Sequence, residues 1–222
     1  MHSNLTKFAV LTVRKKEQAM TRNEQEQQLE NLQPDSVSMS MATGNTIKGE
    51  RPSVYLGIDP GLNRTGYAVI CRTASRPILI EGGVIKSTRS ADLAERIHEI
   101  GQGIREIIAD HQPDSMAIEQ VFSSRSYPQT AVLMAHARGA VLFAAAESAL
   151  SIMHYTPRQI KKLLTGSGAA SKEQVQLAIQ RELRLSKILE PNDVADACAV
   201  AVCHYHSARV DLQADQHVCR VL

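Results

Sequence analysis

Val54-Tyr55-Leu56-Gly57-Ile58-Asp59-Pro60-Gly61 is the stretch on which the fold turns. Its apolar, β-prone residues read as a buried strand that Pro60-Gly61 stops in a turn. Working outward, Gly66–Arg72 and Ile78–Ile85 read as two more strands joined by short loops, an antiparallel meander with the first. The period then changes. Leu93, Ile97, Ile100, Ile104, Ile107 and Ile108 recur at helical spacing over 91–110, with charges on the other face. A strand at Ser115–Val121 follows, then an Ala/Leu/Val-rich helix over 128–150, then a fifth strand at Ser151–Tyr155. Helices over 157–164, 171–183 and 192–207 close the pattern, the second with Ser171 as N-cap. The predicted class is α/β, a mixed five-stranded sheet with helices on both faces.

The flanks are different material. Residues 1–52 are polar, with a Gln/Glu-rich run at Glu24–Glu30 and a Ser-Met-Ser-Met repeat at Ser38–Met41, and read as a disordered extension. Within it Phe8–Val13 is apolar, a docking peptide or the mark of a start codon placed too early, since so short a run makes no core of its own. The ordered domain is expected over 53–208, with 209–222 as a tail. A chain of 222 residues is large enough for one such domain plus an appendage. Its four cysteines have no CxxC spacing and no stretch reads as a secretory leader, so a reducing, cytoplasmic setting is expected. No uninterrupted apolar run of about 18 residues predicts a membrane span.

The chemistry starts where acids interrupt buried elements. Asp59 ends one apolar strand and Glu119 interrupts another after Met116-Ala117-Ile118, so both carboxylates leave the sheet near strand C-terminal ends, where open α/β sheets bind ligands. Each also has a plain reading: an Asp before Pro-Gly caps turns, and a Glu on an edge strand faces solvent. Asp193 and Asp196 shift that balance, standing three apart on one face of a helix otherwise made of Val, Ala and Cys. Like charges there repel and are desolvated unless a cation compensates them. Asp193 alone has a second use as an N-terminal cap. Four carboxylates without a cysteine cluster or paired histidines suit a hard ion, Mg²⁺ or Mn²⁺, and two such ions roughly 3.5–4 Å apart hydrolyse phosphodiesters. His204 and His206, two apart, do not share a helical face and are read as surface residues.

Net charge is only +2, so whole-chain charge identifies no partner. Local charge does: residues 155–187 carry seven bases (Arg158, Lys161, Lys162, Lys172, Arg181, Arg184, Lys187) against Glu173 and Glu182. Such a stripe beside the carboxylates suits a phosphate backbone, although alone it would be a solvated helix face. Phe122 and Arg125 lie just past Glu119, where a Ser-rich loop begins. There Phe122 either stacks on an unpaired base with Arg125 on the adjacent phosphate, or closes the core beneath the loop.

These residues together resemble the RuvC family of bacterial Holliday junction resolvases. The signature runs through Gly57-Ile58-Asp59-Pro60-Gly61, Thr65-Gly66-Tyr67, Ala117-Ile118-Glu119-Gln120-Val121-Phe122 and Ala137-Arg138-Gly139, then Thr165–Val175 and Asp193-Val194-Ala195-Asp196-Ala197, in order, from about Val54 to His206. The resemblance implies a ribonuclease H-like fold, a homodimer that nicks a four-way DNA junction symmetrically in recombination and repair, and a branch-migration complex of junction-binding subunit and ring helicase as partner. It implies metal-binding catalytic roles for Asp59, Glu119, Asp193 and Asp196, phosphate contacts for Lys161 and Lys172, and a junction-facing Phe122. Two Mg²⁺ ions per subunit are expected, with Mn²⁺ able to substitute. The sequence departs from the pattern in its 52-residue extension and in Ala135-His136, which replaces a frequent Gly-Gln.

Three other readings compete. The Gly-Ile-Asp-x-Gly element also opens actin-like ATPase domains, but those need a second such domain. A sister nuclease acting on RNA would share the carboxylates, and a catalytically dead junction binder would have lost one. The helix over 128–150, more apolar than one sheet face requires, is either the dimer interface or an internal core helix.

Overall fold

The computed structural model describes residues 5–8, 52–73, 75–120 and 128–218, with side chains over 52–73, 75–120 and 129–208. All five predicted strands form: β2 (Val54–Asp59), β3 (Arg64–Arg72), β4 (Pro77–Lys86), β5 (Ser115–Glu119) and β6 (Ser151–Tyr155). A sixth, β1 (Leu5–Phe8), adds an edge, giving the order β1-β4-β3-β2-β5-β6. β2, β3 and β4 make the antiparallel meander, and β5 and β6 run parallel to β2. The helices are α1 (Leu93–His111), α2 (Pro128–Glu147), α3 (Pro157–Thr165), α4 (Lys172–Glu182) and α5 (Asn192–Val218).

Two expected boundaries need correction. Disorder over 1–52 does not hold for Leu5–Phe8, which pair antiparallel with β4 from Leu5↔Ile85 to Phe8↔Gly82. Edge pairing is made by main-chain groups, so a short segment joins it without the alternating pattern that reveals an inner strand. Residues 9–51 lie outside the described residues. At the other end, α5 continues to Val218 and takes in most of the expected tail, since nothing in 208–218 breaks a helix.

Strand alternation sorts the core into two layers. Leu56, Ile58, Tyr67, Val69 and Ile85 face α1 and α2, while Tyr55, Ala68, Ile70, Val84 and Ala117 face α3, α4 and α5. Each large side chain with no exposure, such as Ile58, Ile104 or Ile118, contributes about 1.5–3 kcal/mol by leaving water. Asp59 follows Tyr55 and Gly57 in the alternation and Glu119 follows Ala117, which puts both acids on the α5 face.

Close approach of α5 depends on missing side chains in the strands beneath it. A Cβ on Gly57 would stand 2.5 Å from the carbonyl oxygen of Ala197 and the nitrogen of Ala201. One on Gly66 would strike the carbonyl oxygen of Asp193, and one on Gly82 would stand 2.8 Å from Val194. Helix α5 therefore lies in a groove across β2, β3 and β4. It is buried on nearly all sides from Val194 to Tyr205, with α3 and α4 closing over it.

His204 corrects a further expectation, because it is buried rather than on the surface. Its Nε2 is 2.7 Å from Ser115 Oγ, its Nδ1 is 3.0 Å from the Tyr155 hydroxyl, and the Tyr55 ring meets it edge-on at 4.9 Å. With both ring nitrogens partnered, burial carries little penalty. His206, the other member of the pair, is partly exposed beside Glu182 at 3.1 Å.

Candidate active site

The turn after β2 fixes the first acid. Thr65, fully buried, donates its hydroxyl to the Gly61 carbonyl at 2.8 Å, which closes the loop between β2 and β3. Arg96 of α1 clamps that loop from outside, donating to Asn63 Oδ1 at 2.5 Å and to the Leu62 carbonyl at 3.3 Å. Asp59 is the last residue of β2, directly opposite Gly66 of β3. On its other side β2 and β5 pair in parallel through Ile58↔Ile118, so Asp59 and Glu119 are the next residues of two neighbouring strands. A strand-end pair of this kind is set by sheet register, with no freedom beyond the side-chain rotamers.

The second pair comes from the first turns of α5, laid over that strand end by the glycine groove. Asp196 faces Asp59 and Glu119 across an open cleft of about 240 Å³, also lined by Pro157, Ile160, Lys161, Lys172, Val175 and Ala199. Lys172 is placed by local chemistry. Ser171 caps α4, accepting from the Gln174 N–H at 3.3 Å, and the Gln174 side chain accepts the Ser171 N–H at 2.9 Å. That reciprocal cap makes Lys172 the first helical residue, and its Nζ donates to Asp196 Oδ2 at 2.7 Å. Thr156 and Gln159 make the same box at the start of α3, which brings Lys161 to the cleft.

Asp193 stands beside this cleft rather than in its lining. Arg64, the first residue of β3, donates Nε to its Oδ2 at 2.9 Å, and Nη2 lies 2.8 Å from the same oxygen. The alternative reading of Asp193 as a helix cap is not what its carboxylate does here; Arg64 holds it.

Electrostatics divides the four acids. Burial, then the charges of Glu119, Asp196 and Asp193, push the Asp59 carboxyl up to about 8, against a smaller opposing pull from Lys172. Burial and Asp196 push Glu119 up to about 7, opposed by Lys161 and Lys172. Burial works against the charge of Lys172, but its hydrogen bond to Asp196 and the nearby carboxylates outweigh it and hold its pKa above the ordinary lysine value.

Among the described residues, no three acidic, histidine or cysteine side chains stand close enough to grip one ion as they lie. The donor set nevertheless fits a hard cation: it is all oxygen, and two of its members carry a negative charge that burial disfavours. A cation there would relieve what raises Asp59 and Glu119.

Of the residues proposed from sequence, Asp59, Glu119, Asp196, Lys161 and Lys172 are brought together, and Asp193 is adjacent. Arg158 and Lys162 are exposed on α3 outside the cleft lining, with the Arg158 stem packed beside Gly168. Phe122 and Arg125 lie outside the described residues. Arg64 was missed: its partner is 129 residues away, and only the β2–β3 register and the path of α5 bring the two together.

Comparison with known proteins agrees with this geometry. Residues 55–204 match the family model described as "Crossover junction endodeoxyribonuclease RuvC". A protein of that name from Rhodopirellula baltica is 49% identical over 168 residues, 74% of this chain and 94% of the relative. One from Syntrophomonas wolfei is 39% identical over 155 residues, 70% and 90% of the two chains. Among solved structures, Thermus thermophilus RuvC in complex with Holliday junction substrate is 33% identical and superposes with a TM-score of 0.68 over 72% of this chain and 96% of that one. The match spans sheet and cleft together, which excludes the actin-like ATPase reading: the chain belongs to the RuvC family of crossover junction endodeoxyribonucleases.

Proposed function

We propose that the protein resolves four-way DNA junctions in recombination and repair, as a homodimer that places one cleft on each of two equivalent strands and hydrolyses one phosphodiester in each. The observation that carries this reading is the convergence of half-buried Asp59 and Glu119 with Asp196, Lys161 and Lys172 in one cleft open to solvent. Asp59, Glu119, Asp196 and Asp193 are the groups that would hold two Mg²⁺ ions, Mn²⁺ substituting. When bound, such ions stabilise charge on the phosphate and lower the pKa of a water. The chain's own residues do the rest. The sheet fixes the spacing of Asp59 and Glu119, the apolar floor of Ile160, Val175 and Ala199 limits water at the cleft base, and Lys161 and Lys172 offer charge to the scissile strand.

Arg158 and Lys162, exposed on the same helix as Lys161, extend that positive surface along the backbone of the bound arm. Phe122 and Arg125 keep the role of contacting the crossover. For assembly, Val132 (56% exposed) and Phe143 (60%) lie about three turns apart along α2, a helix face too apolar for solvent and suited to a second copy. The branch-migration complex remains the proposed partner, and 53–208 the proposed catalytic domain.

The test is incubation with a labelled four-way junction and a matched linear duplex, with and without Mg²⁺. Paired nicks confined to the junction and to Mg²⁺ are expected. Equal cutting of the duplex, or cutting in excess chelator, would overturn the reading.

A further inference from the structure

Arg64 belongs to no part of the basic segment 155–187, yet it makes the shortest contact of any cation with Asp193 among the described residues. Two nitrogens of its fork, Nε at 2.9 Å and Nη2 at 2.8 Å, converge on the same oxygen, Oδ2. The arrangement is set by the backbone at both ends. Arg64 begins β3 two residues before Gly66, the residue against which the Asp193 main chain rests and which pairs with Asp59. A guanidinium stays charged at any working pH, so loss of a proton never frees Asp193. Only exchange for another cation does.

We propose that Arg64 is a positioning residue for the nuclease reaction: a built-in counter-ion that occupies Asp193 and that an incoming divalent cation must displace. It thereby sets how much cation the site needs. This rests on the metal-site reading above. Lys172 holds Asp196 by an ammonium on a flexible stem, whereas the planar Arg64 guanidinium sets two nitrogens within 2.9 Å of one Asp193 oxygen, so the Asp193 side of the site is the harder to enter.

A different role would have the opposite sign. If Arg64 only orients Asp193 for ligation, removing it weakens cation binding; if it competes, removing it strengthens binding. The experiment titrates Mn²⁺ alone into the full chain without DNA, reading free Mn²⁺ by electron paramagnetic resonance. Folding of each variant is checked by circular dichroism. For Arg64→Met the expected result is binding about two- to five-fold tighter than wild type, the scale of a partly exposed ion pair relieved. Arg64→Lys, which keeps the charge and loses the fork, is expected between the two and serves if the Met variant does not fold. In an Asp193→Asn background, the Arg64 substitution should change affinity little. Unchanged or weaker binding by a folded Arg64 variant would overturn the proposal, as would equal tightening in the Asp193→Asn background. Absence of Mn²⁺ binding by the wild-type chain would overturn the metal-site reading itself, and this inference with it.

Discussion

The two carboxylates that the sheet contributes and the two that α5 contributes are held in opposite ways. Asp59 and Glu119 sit on neighbouring strand ends, half-buried, with no lysine or arginine within ion-pair distance among the described residues, and both are pushed toward neutrality. Asp193 and Asp196 sit on a helix, and each is held by a cation, Arg64 or Lys172, at 2.7–2.9 Å. The strand pair is rigid and short of positive charge, which is what gives a site its attraction for a metal ion. The helix pair already has cations beside it, and under the proposed metal-site reading it would have to exchange them, which would make it the adjustable half. The difference teaches that acids alike in sequence need not be alike in function.

The largest effect should come from the rigid half. Asp59→Asn or Glu119→Gln is expected to lower junction cutting by on the order of 10³-fold or more, equivalent to about 4 kcal/mol of transition-state stabilisation. Junction binding should stay within a few-fold, since the basic surface is untouched. Asp193→Asn should cost less than either, because its carboxylate is the one shared with Arg64. Single-turnover rates on a labelled junction, with binding followed by gel shift, rank the three variants; near-normal cutting by Asp59→Asn would break the distinction.

Next is the groove that brings the halves together. Gly57→Val places a branched side chain against the main chain at Ala197 and Ala201, so α5 must lift away from β2. Overpacking of this kind is expected to cost about 1–3 kcal/mol or more, visible as a lower melting temperature. Cutting should fall further than the lost folded fraction explains, because Asp196 moves away from Asp59. A folded Gly57→Val protein with normal cutting would mean that the helix carboxylates do not need this spacing.

Much of this was legible in the sequence, and the reasons differ by residue. Asp59 and Glu119 were visible because each interrupts an apolar strand, and Asp193 and Asp196 because charge is rare on a helix of Val, Ala and Cys. Ser171 was visible as a cap because its chemistry is local, completed by Gln174 three residues on. Arg64 was invisible because its significance depends on register and on a contact across 129 residues. The spacing of His204 to His206 says nothing of its burial, which follows from its apolar neighbours Val200, Ala201 and Tyr205. β1 left no pattern because edge pairing asks little of side chains.

The contrast also has a pH signature in the metal-free protein. The folded-state pKa values of Asp59 and Glu119 lie above their ordinary values of 3.8 and 4.5, so the neutral forms stabilise the fold. That stability is fully present below about pH 4 and is lost as pH rises through about 7 and 8. Chelator-treated protein should therefore melt at falling temperature between about pH 5 and 9, and saturating Mg²⁺ should offset the fall because it favours the charged forms. Asp59→Asn should flatten the profile and, at pH 9 without metal, stabilise by roughly 1–3 kcal/mol, about 2–12 °C in melting temperature. A wild-type profile that rises over the same range would contradict the raised values.

The smallest effect tests the adjustable half alone. Lys172 Nζ lies 2.7 Å from Asp196, but its side chain is 47% exposed, and an ion pair open to water contributes about 0–1 kcal/mol to stability. Lys172→Gln should therefore leave the melting temperature nearly unchanged. Its effect should appear in substrate handling, for two reasons that act in opposite directions. Removing the lysine frees Asp196, which favours cation entry and lowers the Mg²⁺ needed for half-maximal cutting. It also removes one positive charge facing the scissile strand, which weakens junction binding and reduces its salt dependence by about one phosphate contact. Measuring cutting across both Mg²⁺ and NaCl concentrations separates the two. A shift in the salt dependence without any shift in the Mg²⁺ requirement would mean that Lys172 serves the phosphate and not Asp196, leaving Arg64 as the sole cation that regulates the helix carboxylates.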